Sequence, residues 1–373
     1  MSETSKPEEL FYDQQITLAN VQPGMILSSE VVTEDGSIFM RKGTVLTANN
    51  IKKLQTSRVD FIIVKTKAPK RKYEPAFNTV HWGMEGIPVQ KSAAFKEFVE
   101  NYDESTAEIK KYVMAISDGA TINLDELFKL TNGVMEHLKC KSDVLTFLGY
   151  IKEADEHTFT HSNNVALLCN LFAKWLRLSA RDVVYLTTAG ILHDIGKTRT
   201  PPEILNKAGP LKDEEFKIMK RHTIDGYEIL KNQNIPESIK LAALMHHEKI
   251  NGKGYPYGLL GENIETFAKI VSIVDIYDAM TANRIYRAKL CPFEVIRMFE
   301  TKVYGEIDTE NLIVFLRNIA YTYLGNYVKL TDGQEGTVVF INQQNLSKPI
   351  VRLTDGRLIS LAEEENLSVL SLA

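Results

Sequence analysis

The stretch TTAGILHDIGKT, Thr187–Thr198, decides how the chain is read. An apolar run ends abruptly in His193–Asp194, with a glycine and a lysine close behind. The run reads as a core helix, so the His–Asp pair sits where that helix leaves the core. A buried aspartate without partners costs several kcal/mol, so the question is what else in the chain could meet it.

The partners lie nearby in sequence. Of eight histidines, six fall between His157 and His247. His161 lies in HTFTHSNNVALL at a helix start, and His222 in IMKRHTIDGYEIL near another. His246 and His247 end the apolar segment IKLAALMHHE, and Asp275 lies inside the very apolar KIVSIVDIYDAM. Taken singly, His161 or His222 reads as a cap or a hydrogen-bonded core histidine. Taken together, the polar residues of several helices converge on one interior, where bundles build metal sites. The donors are imidazole and carboxylate with no cysteine, which excludes a thiolate zinc site and suits Fe, Mn, Mg or similar ions. Six or more ligands exceed what one ion with an open position can use, so two or more ions are expected.

Around this helical region the period changes. Residues 16–66 alternate short apolar runs with Pro-Gly, Asp-Gly and Lys-Gly turns, as a small β-rich module does. From about Ser92, Phe95, Phe98, Val99, Tyr102, Ile109, Tyr112, Val113 and Ile116 follow a three-four spacing. That long amphipathic helix either covers the next domain or pairs with a copy of itself. Beyond Tyr323, alternating segments resume around Asp-Gly turns. The expected architecture is mainly α: a helical bundle domain at 123–323, a β-rich module at 1–75, a linker and long helix at 76–122, and a β segment at 324–373.

Bulk properties fit an ordinary globular protein, with 44% hydrophobic and 25% charged residues over 373 positions. A net charge of -4 gives no polycation for a DNA or RNA polymer. No apolar leader opens the sequence and no window has the length of a membrane span, so the expected location is the cytoplasm. Cys140, Cys169 and Cys291 are widely spaced and read as buried thiols.

The motifs HDIGK (193–197), HHEKINGKGYP (246–256) and VDIYDAMTANRIYR (274–287) resemble, in order and spacing, the HD-GYP domains of bacterial signalling proteins. These form a subgroup of the HD metal-dependent phosphohydrolases. The resemblance implies an HD-type helical bundle that hydrolyses cyclic di-GMP to pGpG, and in some members onward to GMP, through a metal-bridging hydroxide. It implies metal ligands His161, His193, Asp194, His222, His246, His247 and Asp275, with Asp194 and Lys197 at the catalytic phosphate. Tyr255, Arg284 and Arg287 correspond to substrate-contacting positions, and Asp278 to an acid that orients a ligand. Two Fe or Mn ions are expected. Members with three metals carry a glutamate where this chain has His157, so a third ion depends on that residue.

Other readings are a catalytically inactive cyclic di-GMP receptor or protein-interaction scaffold, a phosphodiesterase for a related cyclic dinucleotide, and a mononucleotide phosphohydrolase. The intact ligand set speaks against the scaffold. The GYP loop and the arginine pair speak against a simple nucleotidase. A homodimer through the long helix and signalling protein partners belong to the same expectation.

Overall fold

The computed structural model describes residues 11–17, 21–28, 30–32, 38–56, 61–67, 89–138, 143–151, 157–207, 209–281, 290–303 and 305–372. Two units divide at Ala76 and Phe77. In the first, β1 (Phe11–Thr17), β2 (Ile26–Leu27), β3 (Val31–Val32), β4 (Ile38–Met40), α1 (Ala48–Thr56) and β5 (Phe61–Lys67) follow in order. β5 lies between β1 and β2 in an antiparallel sheet, with Phe11 opposite Lys67 and Thr17 opposite Phe61. Thr47 and Asn50 cap α1 reciprocally: the hydroxyl accepts from Asn50 N at 3.2 Å, and the amide oxygen accepts from Thr47 N at 3.1 Å. Leu27, Leu46, Leu54, Ile62 and Val64 form its core.

The second unit is a helical body with a β appendage. Its helices are α2 (Ala93–Ser117), α3 (Leu124–Glu136), α4 (Asp143–Leu148), α5 (His157–Trp175), α6 (Ala180–Leu192) and α7 (Pro202–Leu205). There follow α8 (Asp213–Lys220), α9 (His222–Leu230), α10 (Glu237–Met245), α11 (Thr266–Thr281), α12 (Pro292–Met298) and α13 (Thr309–Thr322). α5 is buried along Ser162–Ala173 on every side, as a central helix must be. α6 crosses it so closely that a Cβ on Gly190 would meet Ala166 Cα at 2.9 Å.

The stripe of α2 turns inward. Phe95, Phe98, Tyr102, Ile109, Val113 and Ile116 are buried in the core of their own unit. Tyr102 donates to Asn164 Oδ1 of α5 at 2.6 Å, and Ser117 hydrogen-bonds Thr198 at 2.7 Å. The helix therefore covers its own domain.

Strands β6 (Tyr327–Leu330), β7 (Glu335–Phe340), β8 (Ile350–Leu353), β9 (Leu358–Ser360) and β10 (Val369–Leu372) form an antiparallel sheet in the order β10-β6-β7-β8-β9. The Asp332–Gly333 and Asp355–Gly356 turns close its hairpins, with both glycines at φ +88°.

Candidate metal centre

Helix ends place most of the ligand candidates, and the middle of one helix places Asp275. His161 stands in the first turns of α5, His193 caps the C-terminus of α6, and Asp194 opens a 3-10 turn over Ile195–Arg199. His222 begins α9, His246 caps α10 with His247 next in the chain, and Asp275 belongs to α11. Gly196 makes this convergence fit. A Cβ there would lie 1.9 Å from His222 O, so only glycine lets the 3-10 turn rest on the start of α9.

Asp194 is the centre of the cluster. Its Oδ2 lies 3.3 Å from His193 Nε2 and 3.7 Å from His161 Nε2. Its Oδ1 lies 3.3 Å from His222 Nε2 and 3.7 Å from His246 Nε2. Asp275 Oδ1 is 3.0 Å from His161 Nε2, and its Oδ2 is 3.8 Å from His247 Nδ1. Two donor groups result: His161, His193 and Asp194, and Asp194, His222, His246 and His247, the donor atoms of each lying within 4.8 Å of one another.

The opposite ring nitrogens are held from behind. Nδ1 donates to Gly190 O in His193 and to Met219 O in His222, both at 2.7 Å, and to Ala242 O and Ala243 O at 3.1 Å in His246. That tautomer leaves the Nε2 lone pairs facing inward. In His161, Nδ1 donates to Asp278 Oδ2 at 2.7 Å.

Two inward atoms, His193 Nε2 and Asp194 Oδ1, are buried without a hydrogen-bond partner. The Nε2 atoms of His222 and His246 face each other at 3.4 Å. Lone pairs left facing one another in a buried cluster are costly, and a cation between them removes the cost. The residues fit divalent ions with a preference for nitrogen and oxygen.

Electrostatics point the same way. Burial pushes His222 down to about 3 and holds His247 well below the usual range, so both keep the neutral, ligating form. Burial also opposes charge on His161, but the hydrogen bonds it donates to Asp275 and Asp278 outweigh it and push the imidazole up to about 10. For Asp194, burial is outweighed by the Lys197 ammonium and the neighbouring imidazoles, and the carboxyl stays ionised far below its ordinary range. Lys197 Nζ pairs with Asp194 Oδ2 directly.

The GYP loop roofs this cluster. Tyr255 N donates to His247 O at 3.2 Å, and its ring lies 4.7 Å from the His247 ring at 31°. Burial raises the Tyr255 phenol, which keeps its proton. At Gly254 a Cβ would meet Lys249 N at 2.3 Å, where the loop doubles back on the end of α10.

Glu248, which follows His247 directly, holds the GYP loop. It is buried and accepts from the backbone N–H groups of Tyr257 (2.7 Å), Gly258 (3.1 Å) and Leu259 (2.9 Å). One signal was available: an acid just past a helix C-terminus opposes the helix dipole and needs its own donors. Arg284 and Arg287 lie outside the described residues, as do Cys140 and the side chain of His157.

Comparison with known proteins agrees with this geometry. Residues 149–310 match the HD domain family. The chain is 33% identical over 230 residues to the cyclic di-GMP phosphodiesterase PA4108 of Pseudomonas aeruginosa, covering 61% of this chain and 54% of that protein. It is 36% identical over 169 residues to the 3'3'-cGAMP-specific phosphodiesterase 1 of Vibrio cholerae, covering 45% and 39% respectively. The chain thus spans about half or less of these curated relatives. An HDG"Y"P protein from Bdellovibrio bacteriovorus shares the fold with a TM-score of 0.50 at 14% identity, over 82% of this chain and 98% of that one. Over residues 149–310 the chain is thus similar to the HD domain family, and its motifs resemble those of the HD-GYP group within it.

Proposed function

We propose that the chain is a metal-dependent phosphodiesterase that hydrolyses cyclic di-GMP to pGpG, with onward hydrolysis to GMP as a second activity of the same site. The observation that carries this reading is the division of the Asp194 carboxylate: one oxygen faces His161 and His193, the other His222 and His246. Such a carboxylate suits a pair of ions rather than one. In this reading His161, His193, Asp194 and Asp275 hold one Fe or Mn ion, and Asp194, His222, His246 and His247 hold the other. When bound, two such ions supply a water nucleophile at neutral pH and stabilise the charge of a departing alkoxide.

The chain's own groups complete the pocket. Lys197 is the ammonium nearest the cluster and suits a non-bridging phosphate oxygen. Tyr255, still protonated, offers both a ring face and a donor. Arg284 and Arg287 would add charge for a dianionic ligand. Two ions satisfy the cluster, and His157 is where a third would attach. The reading places catalysis in residues 123–323, gives the flanking β segments structural roles, and places the protein in the cytoplasm. Among the described residues no helix is long and apolar enough to cross a membrane.

A related cyclic dinucleotide is the second substrate reading, favoured by the likeness to a cGAMP-specific enzyme. Incubation of the full chain with Mn(II) or anaerobic Fe(II) and each dinucleotide, followed by product chromatography, tests both. Linear pGpG from wild type and none from Asp194→Ala supports the proposal. Binding without cleavage, with less than about one ion per chain, would favour a receptor or scaffold.

A further inference from the structure

Beside the metal cluster lies an aromatic and cationic surface that the ligand set does not use. Helix α8 buries none of its residues, yet it carries Phe216, 46% exposed, immediately beside the GYP loop. The Phe216 ring meets the Tyr255 ring edge-on, with centroids 6.5 Å apart at 77°. Lys220, one turn further along α8, holds its Nζ 5.0 Å over the Phe216 ring and 5.6 Å over the Tyr255 ring. Among the described residues no carboxylate pairs with Lys220, whereas Lys207 and Lys217 pair with Glu215 and Glu214 on the same helix. From Tyr255 the chain of rings continues inward to His247 at 4.7 Å and His222 at 6.4 Å.

An exposed aromatic ring with an ammonium over one face, and no carboxylate paired to that ammonium among the described residues, has the chemistry to read a nucleobase. The ring provides a stacking platform, which any base can use. The ammonium provides only donors, which discriminates among bases. Guanine presents adjacent acceptors, N7 and O6, and lysine is a common partner for them; adenine replaces O6 with a donor amino group. The surface begins at the roof of the metal cluster, so a phosphate held by the cluster carries its nucleoside toward α8.

We propose that Phe216 and Lys220 form a base shelf that selects guanine over adenine in the nucleotide whose phosphate occupies the metal centre. The shelf deepens, and rests on, the phosphodiesterase reading. Phe216 is the stacking surface and Lys220 the discriminating donor.

Calorimetric titration of the Mn-loaded full chain with 5'-GMP, 5'-AMP and inorganic phosphate tests it without turnover. Wild type should bind GMP more tightly than AMP or phosphate. Phe216→Ala should weaken GMP about tenfold and leave phosphate unchanged. Phe216→Trp should restore GMP binding. Lys220→Met should remove about a tenfold preference for GMP over AMP. Equal binding of GMP and AMP by wild type, or unchanged GMP binding in Phe216→Ala, would overturn the shelf. So would equal losses for GMP and phosphate in both variants. Cyclic di-GMP hydrolysis by the same preparation separates the two claims. Base-selective binding without hydrolysis sinks the enzyme reading and leaves the shelf, and hydrolysis with unselective binding does the reverse.

Discussion

His161 Nδ1 donates to Asp278 Oδ2 at 2.7 Å, behind the ring nitrogen that faces the metal cluster. The pair lies on α5 and α11, one helix turn from Asp275 on the same helix face. Asp278 thereby fixes both the rotation of the imidazole and its proton.

Removing that acid should loosen the metal without unfolding the chain. Asp278→Asn is expected to lower metal affinity by about 10–100-fold, the usual effect of losing a ligand's orienting partner. Competition with a fluorescent chelator measures it. An unchanged affinity would mean that Asp278 is only a packing residue.

Loading the protein with metal should release a proton. In the cation-free site His161 sits between two carboxylates and is pushed up to about 10, so it is protonated at pH 7–8. Coordination at Nε2 requires the lone pair, so binding displaces a proton and affinity rises with pH until about 10. His222, pushed down to about 3, is already neutral and contributes none. Titration of apo-protein with Mn(II) in buffers of different ionisation enthalpy reads the number, and a value near zero contradicts the paired imidazolium.

Glu248→Ala should free the GYP loop while sparing the metals. Its carboxylate satisfies three backbone N–H groups, each costing about 1–3 kcal/mol if buried without a partner. The expected result is normal metal content with KM for the dinucleotide raised severalfold, and faster amide exchange at Tyr257–Leu259. Glu248→Gln, which keeps one acceptor oxygen, should fall between. Loss of metal in Glu248→Ala would show that its role reaches the cluster.

Gly196→Ala should be among the most damaging single substitutions. The added methyl would sit 1.9 Å from His222 O and 2.5 Å from Gly226 N, both backbone atoms. Overpacking of that kind costs about 1–3 kcal/mol or more and would separate Asp194 from His222. A melting curve and a metal analysis together check this. A stable variant with full metal content would mean that the 3-10 turn moves freely against α9.

Much of the architecture was legible because several candidate ligands stand at the edge of an apolar run. His193, His222 and His246 mark helix ends in the sequence and cap or begin helices in the structure. The Asp-Gly pairs marked the turns of the C-terminal sheet for the same reason: glycine supplies the positive φ. The spacing of α2 could not say whether its stripe faced its own domain or a copy, since both bury the same residues. The burial of Tyr102 against Asn164 resolves its fold role. The position of Glu248 past a helix end signalled a need for donors, but which donors was illegible because they are backbone groups nine to eleven positions away. Phe216 and Lys220 gave no signal, because α8 is short, highly charged and buries none of its residues.

The central claim is that the two oxygens of Asp194 serve two different ions. Anomalous diffraction from crystals of anaerobically prepared, metal-loaded protein tests it most directly. The account predicts two peaks about 3.5–4 Å apart, one beside Oδ2 with His161, His193 and Asp275, the other beside Oδ1 with His222, His246 and His247. A single peak, or two peaks on the same oxygen of Asp194, would contradict it.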